Sequence, residues 1–340
     1  MSTRFDTGAV EAWMMANVPG FHGPISVEKF ATGQSNPTFK LTAASGTYVL
    51  RRKPPGQLLK SAHAVDREFR VQGALADTDV PVAQMRAFCE DDSVIGSMFY
   101  IMDYVDGRTF VDPRLPDVGI DDRRAIFDEM NRVLAAIHSV DLGFAGLTDY
   151  GPQGNYYQRQ IDRWTKQYRA SETETIPDMD ALISWLQENV PDDDGQVTLV
   201  HGDYRIDNLL FAPDASNCVA VLDWELSTLG HPYADLAAVI MQWALPPGDA
   251  GRGLAGVDRA VLGLPEDEAF IEAYCVRMGL PGIDRFGFYL AFCFFRMASI
   301  LQGVKRRALD GNASNPARAL ELGAFVPTFA KGGLDAAKTV

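Results

Sequence analysis

Residues 200–223 constrain the fold more than any other stretch of this sequence. Two apolar runs, 209–212 and 219–222, flank a turn-rich Pro-Asp-Ala-Ser-Asn segment, a pattern typical of a short β-hairpin. Polar residues lie at the open end of this hairpin, where His201, Asp203 and Asn208 precede it and Asp223 follows it. Folding the hairpin therefore brings two carboxylates and an amide to one place.

The reaction that suits this cluster is phosphoryl transfer. That reaction needs an acid group that accepts a hydroxyl proton, and oxygen ligands for the metal ion that bridges the phosphates. Asp203 is the candidate catalytic base, whereas Asn208 and Asp223 are the candidate Mg²⁺ ligands. Arg205 can neutralise charge on the transferred phosphoryl group. We expect His201 to brace the loop by hydrogen bonding.

The order of these motifs resembles the aminoglycoside phosphotransferase family of small-molecule kinases. The matching strings are His201-Gly202-Asp203 through Asn208, Asp223-Trp224-Glu225, and Gly230-His231-Pro232 before Asp235. The resemblance implies ATP and Mg²⁺ as cofactors, and an aspartate at 235 that steadies the catalytic loop. It also implies an α+β, two-lobed protein-kinase-like fold. In that fold an N-terminal ATP-binding lobe (1–105), with a five-stranded antiparallel sheet and one main helix, precedes a mostly helical catalytic and substrate-binding lobe (106–340).

Periodicity in the N-terminal third predicts a helix followed by a sheet. Apolar residues recur at helical intervals over 8–18, and Pro19-Gly20 ends the run. Three strands at 25–31, 37–42 and 47–52 form a meander, and a second helix covers 63–76. A strand pair entered at Val80 and ending at Met102 completes five strands.

Within the resemblance, several residues of this part correspond to nucleotide-binding groups. The turn Gly33, Gln34, Ser35 and Asn36 corresponds to the phosphate loop, although it lacks the G-x-G-x-x-G pattern and alone reads as a plain hairpin turn. Arg51 stands where the family places a strand cation, usually lysine, and Glu68 stands where it places the paired glutamate. Lys53 is a competing cation, and each of these charges is otherwise an ordinary surface group. Met102, Asp103 and Val105 correspond to the hinge, where the Asp103 carbonyl and Val105 N–H contact the adenine.

The remaining chain has helical periodicity. Predicted helices begin at Asp121, with Asp121 or Asp122 as the cap, and continue at 155–170, 179–189, 266–278, 285–309 and 316–325. A Pro- and Gly-rich interruption at 246–253 is predicted to be mobile. The acidic segment 172–194 is predicted to be a solvated surface, with recognition of a cationic substrate as the alternative.

Composition narrows the functional classes. A chain of 340 residues with 47% hydrophobic content can bury a large core, and its net charge of −14 disfavours nucleic acid and anionic membranes. Four scattered cysteines suggest neither zinc nor a disulfide framework. The N-terminus does not resemble a signal peptide, and the apolar stretch 286–301 is interrupted by Arg296, so a cytoplasmic protein is expected.

The acceptor is expected to be a small molecule with a hydroxyl group; the oligomeric state stays open. The strings at 50–56 and 61–69 resemble the branch related to kinase domains joined to acyl-CoA dehydrogenases, which favours a hydroxylated metabolite such as a hydroxyacyl-CoA over an aminoglycoside. Only eleven residues separate Asp223 from Asp235, so no long activation loop fits. The alternatives are a nucleotide-binding protein without transfer activity and a metal-dependent hydrolase, the latter using His201, Asp203, Asp223 and His231.

Overall fold

A computed structural model describes residues 5–30, 36–54, 64–248, 251–313 and 315–339. The predicted phosphate-loop residues Gly33, Gln34 and Ser35 lie outside the described residues, whereas Asn36 lies within them.

The N-terminal helix α1 (Thr7–Asn17) forms where the apolar spacing predicts it. Its first turn is capped by Asp6, whose Oδ1 accepts hydrogen bonds from the N–H groups of Gly8 at 2.9 Å and Ala9 at 3.2 Å. Val10 and Met14 are fully buried in one cluster with apolar side chains of the sheet. The helix therefore covers one face of the sheet that follows it.

The sheet has five strands, each antiparallel to its neighbours, in the order β1-β2-β3-β5-β4. The strands are β1 (Ser26–Lys29), β2 (Thr38–Ala43), β3 (Gly46–Arg52), β4 (Met85–Cys89) and β5 (Phe99–Asp103). The fourth strand begins at Met85 and not at Val80 as predicted. Pro81 has no N–H for a ladder, and its carbonyl accepts the Val221 N–H at 2.8 Å from the C-terminal part of the chain.

Among the described residues between β3 and β5, the helices are α2 (Val65–Ala74) and the single turn α3 (Asp92–Ile95). In the β3–β5 register Arg51 lies opposite Tyr100. The Tyr100 hydroxyl donates to Glu68 Oε2 on α2 at 3.1 Å. The sheet and α2 therefore present Arg51 and Glu68 to each other.

The C-terminal part is mostly helical, as expected. Its helices are α4 (Ile120–His138), α5 (Tyr156–Ser171), α6 (Pro177–Glu188), α7 (Tyr233–Trp243), α8 (Arg259–Leu262), α9 (Asp267–Met278), α10 (Phe286–Leu309), α11 (Pro316–Gly323) and α12 (Val326–Ala337). The predicted cap of α4 is wrong. Gly119 occupies the cap position, so Asp121 and Asp122 lie inside the first turn, where they favour the helix through its dipole instead.

The last helix, α12, was not predicted, because two glycines obscure its apolar pattern. These glycines allow close packing: a Cβ added at Gly332 would lie 2.7 Å from the Phe294 ring, and one at Gly333 would lie 2.5 Å from Leu182. Small residues at these positions let α12 lie directly against α10 and α6.

Helix α10 is the centre of the helical part. It packs against α5, α6, α7, α11 and α12, and its aromatic residues Phe288, Phe292 and Phe295 are fully buried. By length and composition alone this helix could cross a membrane, but most of its apolar window is covered by the other helices. A core helix of a water-soluble fold has the same composition.

Two short strand pairs lie between α6 and α7 in the chain. Strand β6 (Thr198–Val200) pairs with β9 (Thr228–Gly230), and β7 (Leu209–Phe211) pairs with β8 (Cys218–Val221), each pair antiparallel. The β7–β8 hairpin is the predicted one. The loop from β6 to β7 and the loop from β8 to β9 lie side by side, since the Leu222 N–H donates to the Asn208 carbonyl at 2.8 Å.

Candidate functional site

The first part of the site is the loop from β6 to β7, which turns sharply at Gly202. The φ angle of Gly202 is +83°, and an added Cβ would lie 2.6 Å from the Leu226 carbonyl oxygen. A side chain is therefore excluded by both backbone conformation and space. This turn leads directly into Asp203.

Asp235 holds this turn in place from the first turn of α7. Its carboxylate is 1% exposed and accepts hydrogen bonds from the N–H groups of His201 at 2.6 Å and Gly202 at 2.8 Å. Burial alone opposes ionisation, but bonds from His138 and Gly202 lower the pKa of Asp235. An ionised carboxylate thus braces the loop, as the resemblance implies.

His201 makes the bracing contacts that the sequence predicts. Its Nε2 lies 2.9 Å from the Leu222 carbonyl oxygen, and its Nδ1 accepts the Asp203 N–H at 3.2 Å. The ring is fully buried and lies tilted against Trp224, with ring centroids 4.8 Å apart. His201 therefore joins the two loops of the site and holds the backbone of Asp203.

The Asp203 carboxylate is held from two sides. Asn208 Nδ2 donates to Asp203 Oδ2 at 3.0 Å and to the Asp203 carbonyl at 2.8 Å, and Arg205 Nε lies 3.4 Å from Oδ2. The carboxylate is 36% exposed. The surrounding protein still limits its hydration enough to raise the pKa of Asp203, against the opposing effects of Arg205, His201 and Asn208.

Asp223 enters the site from the end of β8. It has φ +64° and ψ +54°, a left-handed conformation that is uncommon outside glycine and often marks functional sites. Its side chain is 33% exposed, and its Oδ1 accepts a hydrogen bond from Arg51 Nη2 at 2.6 Å. The β3 cation and the candidate metal ligand are therefore in direct contact.

Arg51 also contacts the buried glutamate that the resemblance assigns to it. Its Nε lies 2.7 Å from Glu68 Oε2, with the two side chains 13% and 1% exposed. Asn36 Nδ2 donates to Glu68 Oε1 at 2.6 Å. Burial raises the pKa of Glu68, and Arg51 opposes that effect. Burial disfavours the charged guanidinium, but Glu68 and Asp223 more than compensate and raise the pKa of Arg51.

The competing cation, Lys53, occupies a different place. Its backbone N–H donates to the Met98 carbonyl at 3.0 Å, just beyond the end of β3. Among the residues that the structure describes, it forms no ion pair within 4.0 Å, whereas Arg51 pairs with Glu68 and Asp223. The side chain that reaches the candidate centre is thus Arg51.

The predicted hinge residues lie at the end of β5. Met102 and Asp103 are its last two residues and pair with Val49 and Tyr48 of β3. The Asp103 carboxylate accepts two hydrogen bonds from Arg86, at 2.7 and 2.6 Å. Met102 and Val105 pack against an apolar cluster that includes Tyr100. The chain leaves the sheet here and enters the helical part.

The donor set at the centre fits a hard cation that completes its coordination with phosphate. Asn208 uses its amide nitrogen on Asp203, which leaves the amide oxygen for a metal ion, and Asp223 offers a carboxylate. Both are oxygen ligands, as Mg²⁺ prefers. Within the described ranges no group of three or more His, Cys, Asp and Glu side chains forms a metal site. His231, one of the four residues of the hydrolase alternative, lies against Asp194, with its Nε2 3.3 Å from Asp194 Oδ2.

Sequence reasoning missed a second arginine at the loop that carries Asp203. Arg252 Nη1 donates to Asp207 Oδ2 at 3.0 Å, and Asp207 Oδ1 lies 3.1 Å from Arg205 Nε. Asp207 sits within the motif from His201 to Asn208, so its position was available as a signal. Arg252 lies 45 residues further on, and no local pattern links the two.

The predicted acidic surface is partly neutralised by neighbours. Arg169 pairs with Glu172 and Asp180, at 2.8 and 2.5 Å, and Lys305 pairs with Glu174. Glu172 and Glu174 lie in the turn between α5 and α6, Asp180 lies in α6, and each of the three is bound to a cation of the protein itself.

This protein has a kinase-like fold. The five-stranded sheet, the helical part and the site residues between them define this class. The chain belongs to the phosphotransferase enzyme family, whose model matches residues 26–286.

Known proteins agree with this assignment. The chain is 49% identical over 294 residues to acyl-CoA dehydrogenase family member 10 of Mus musculus, covering 86% of this chain but 27% of that protein. A crystal structure from Ralstonia eutropha, assigned provisionally as an aminoglycoside phosphotransferase, is 53% identical with a TM-score of 0.91 and 99% coverage of both chains. A thermostable mutant of aminoglycoside phosphotransferase APH(4)-Ia, in complex with AMP-PNP and hygromycin B, shares the fold at 17% identity, with a TM-score of 0.63 and coverage of 96% and 98%.

Proposed function

We propose that this chain transfers the γ-phosphoryl group of ATP to a hydroxyl group of a small molecule. The observation that carries the proposal is the grouping of Asp203, Asn208 and Asp223 at the ends of neighbouring strands, opposite Arg51. Membership of the phosphotransferase family supports the transfer of phosphoryl groups.

Asp203 is the proposed catalytic base. The acceptor oxygen attacks the γ-phosphorus as the bond from that phosphorus to the β–γ bridging oxygen breaks, and ADP leaves. The hydroxyl proton passes to Asp203. Burial raises the pKa of Asp203 and makes it a better proton acceptor than an ordinary aspartate, while Asn208 keeps its carboxylate oriented.

Asn208 and Asp223 are the proposed ligands of Mg²⁺, and Arg205 is the proposed cation beside the transferred group. When bound, Mg²⁺ neutralises charge on the β- and γ-phosphates and fixes their direction. Arg205 approaches the same region from beside Asp203. The donor chemistry of the two ligands supports this assignment.

The remaining nucleotide contacts are assigned to the N-terminal lobe, residues 1–105, with the catalytic lobe at 106–340. Arg51, held by Glu68, is proposed to bind the phosphates, together with the turn that includes Gly33, Gln34, Ser35 and Asn36. Met102, Asp103 and Val105 are proposed to contact the adenine. Arg51 donates to one oxygen of Asp223, so Asp223 and the phosphates of the nucleotide would share this guanidinium.

The acceptor is proposed to be a hydroxylated metabolite. The mouse relative is named as an acyl-CoA dehydrogenase family member, which supports a hydroxyacyl-CoA as one candidate. The hygromycin B complex of a structural neighbour makes an aminoglycoside the second. We propose a cytoplasmic protein that acts on a dissolved small molecule, without nucleic acid or membrane partners. The net charge of −14 disfavours binding to nucleic acid and to anionic membranes.

The test is transfer of labelled γ-phosphate from ATP across a panel of hydroxylated metabolites and aminoglycosides, with and without Mg²⁺. Asp203→Asn should lower the rate by roughly 10²–10⁴-fold, because the general base is lost. Asp214→Asn is the matched control, since Asp214 is an exposed aspartate at the far end of the same hairpin.

Three outcomes contradict the proposal in different ways. An unchanged rate for Asp203→Asn removes Asp203 from its role. Label that moves only to water counts against an acceptor in either panel. Binding of ATP with no transfer at all favours a nucleotide-binding protein without activity.

A further inference from the structure

Arg205 lies between two carboxylates of the catalytic loop and is close to both. Its Nε is 3.4 Å from Asp203 Oδ2 and 3.1 Å from Asp207 Oδ1. This Nε is buried and has no hydrogen bond of acceptable geometry to any described group. A buried donor without a partner is costly, so a small change in charge nearby can shift the guanidinium toward one side.

Arg252 supplies the charge that balances Asp207. Its Nη1 donates to Asp207 Oδ2 at 3.0 Å, whereas Arg205 Nε lies 3.1 Å from Asp207 Oδ1. The Asp207 side chain is 13% exposed, so water cannot fully solvate it. Each oxygen of Asp207 therefore faces one arginine.

The backbone of the loop after α7 directs Arg252 to this place. Arg252 has φ +52°, a left-handed conformation for a residue with a side chain. Its N–H donates to the Gly248 carbonyl at 2.8 Å, and Gln242 Nε2 donates to the Gly251 carbonyl at 2.7 Å. The Leu254 N–H then donates to the Trp243 carbonyl at 2.9 Å. The described ends of this loop are thus tied to α7, and a strained residue is held at its turn.

We propose that Arg252 is a positioning residue that occupies one side of Asp207 and thereby leaves Arg205 able to serve Asp203 and the transferred phosphoryl group. Without Arg252, the carboxylate of Asp207 takes Arg205 into a two-point ion pair. Arg205 then moves away from Asp203. This inference rests on the proposed function of the same site, and it adds a residue outside the motifs of the catalytic loop.

The kinetic test uses four variants and one control. Arg252→Gln should lower kcat by roughly 10- to 100-fold, because a displacement of about 1 Å at a reacting centre has effects of that order. KM for ATP and for the acceptor should stay within about twofold, the pattern of an interaction made in the transition state. Arg252→Lys should retain most of the rate, since it keeps the charge.

The decisive variant removes both partners. In Arg252→Gln/Asp207→Asn the carboxylate that captures Arg205 is gone, so the double variant should be faster than Arg252→Gln and close to Asp207→Asn alone. Loss of a merely structural ion pair would lower the free energy of unfolding but leave kcat of the folded protein at the wild-type value, because an unpaired Asp207 destabilises the fold without moving Arg205. Arg306→Gln is the matched control: Arg306 is 46% exposed against 44% for Arg252 and pairs with Asp310 at 3.1 Å.

A second readout does not depend on catalysis. In protein labelled with ¹⁵N-arginine and free of nucleotide, the Nε–Hε resonance of Arg205 is assigned with Arg205→Lys. Arg252→Gln should move it downfield, as expected for a stronger hydrogen bond to Asp207, and the double variant should abolish that shift. If no phosphoryl transfer is found, the proposed function fails, while this measurement still decides the role of Arg252.

A resonance that stays in place in Arg252→Gln overturns the inference. So does a double variant that is no faster than the single one, or Arg252→Gln that reacts at the wild-type rate.

Discussion

The ion pair between Arg51 and Glu68 makes a quantitative prediction about stability. Glu68 is 1% exposed and Arg51 is 13% exposed, with 2.7 Å between Nε and Oε2. Replacing Arg51 with methionine keeps the apolar stem of the side chain but removes the guanidinium, which leaves a buried carboxylate without its cation. Loss of one partner of such a pair costs about 3–5 kcal/mol. We therefore expect Arg51→Met to lower the free energy of unfolding by that amount at pH 7.

A second arginine of the same sheet is the control. Arg86 makes two hydrogen bonds to Asp103 at 2.7 and 2.6 Å, so its geometry is at least as good. Its side chain is 41% exposed, however, and its partner is 30% exposed. An exposed pair contributes about 0.2–1 kcal/mol. Arg86→Met should therefore cost much less than Arg51→Met, and burial should account for the difference.

The pH dependence has a definite sign. Burial already raises the pKa of Glu68, and removing Arg51 raises it further. When a carboxyl group has a higher pKa in the folded state, the protein loses stability as the pH rises. The loss begins near the pKa of the unfolded state, about 4.3 for Glu, and continues through the pKa of the folded state. The deficit of Arg51→Met should thus be greatest at neutral pH and shrink as the pH approaches that lower value.

The assay is urea unfolding followed by tryptophan fluorescence at pH 7 and pH 5, with the double variant Arg51→Met/Glu68→Gln included. The double variant should recover much of the loss, because no buried charge remains. Two results refute the reasoning: a loss for Arg51→Met no larger than for Arg86→Met, or a double variant less stable than Arg51→Met.

Three further variants test the site. Gly202→Ala should lower the free energy of unfolding by about 1–2 kcal/mol because of the left-handed backbone alone. The 2.6 Å approach of the added Cβ to the Leu226 carbonyl adds to this loss. Activity should fall as well; urea unfolding measures the stability and the transfer assay measures the activity. Asp235→Asn should lower the free energy of unfolding by about 1–3 kcal/mol at pH 7, since one N–H loses its acceptor. Because the pKa of Asp235 is lowered in the folded state, this deficit should shrink as the pH falls below about 4. Urea unfolding at pH 7 and pH 3.5 measures the change. Asp223→Asn should raise the Mg²⁺ concentration needed for half-maximal transfer, and a metal titration that matches wild type would remove Asp223 from the ligand set.

Much of the fold could be predicted because its cause is local. The spacing of apolar side chains predicts α1, α2 and α10, and the turn segment after Phe211 predicts the β7–β8 hairpin. Predictions failed where a local pattern was weak or misleading. Gly332 and Gly333 interrupt the apolar pattern of the last helix, so it was not predicted. No strand begins at Val80, where the Pro81 carbonyl accepts a hydrogen bond from Val221, a residue far away in the chain.

The sequence by itself determined which chemical groups are present and in what order: an aspartate, an asparagine and a second aspartate around one hairpin. Their proximity follows from the hairpin. Only the tertiary structure decided which cations meet them. Arg51 reaches Asp223 across 172 residues, and Arg252 reaches Asp207 from a loop after α7. Periodicity and turn chemistry report short-range sterics and burial, whereas a long charged side chain can take any partner within its reach. Which partner lies there depends on how the sheet and the helices pack together.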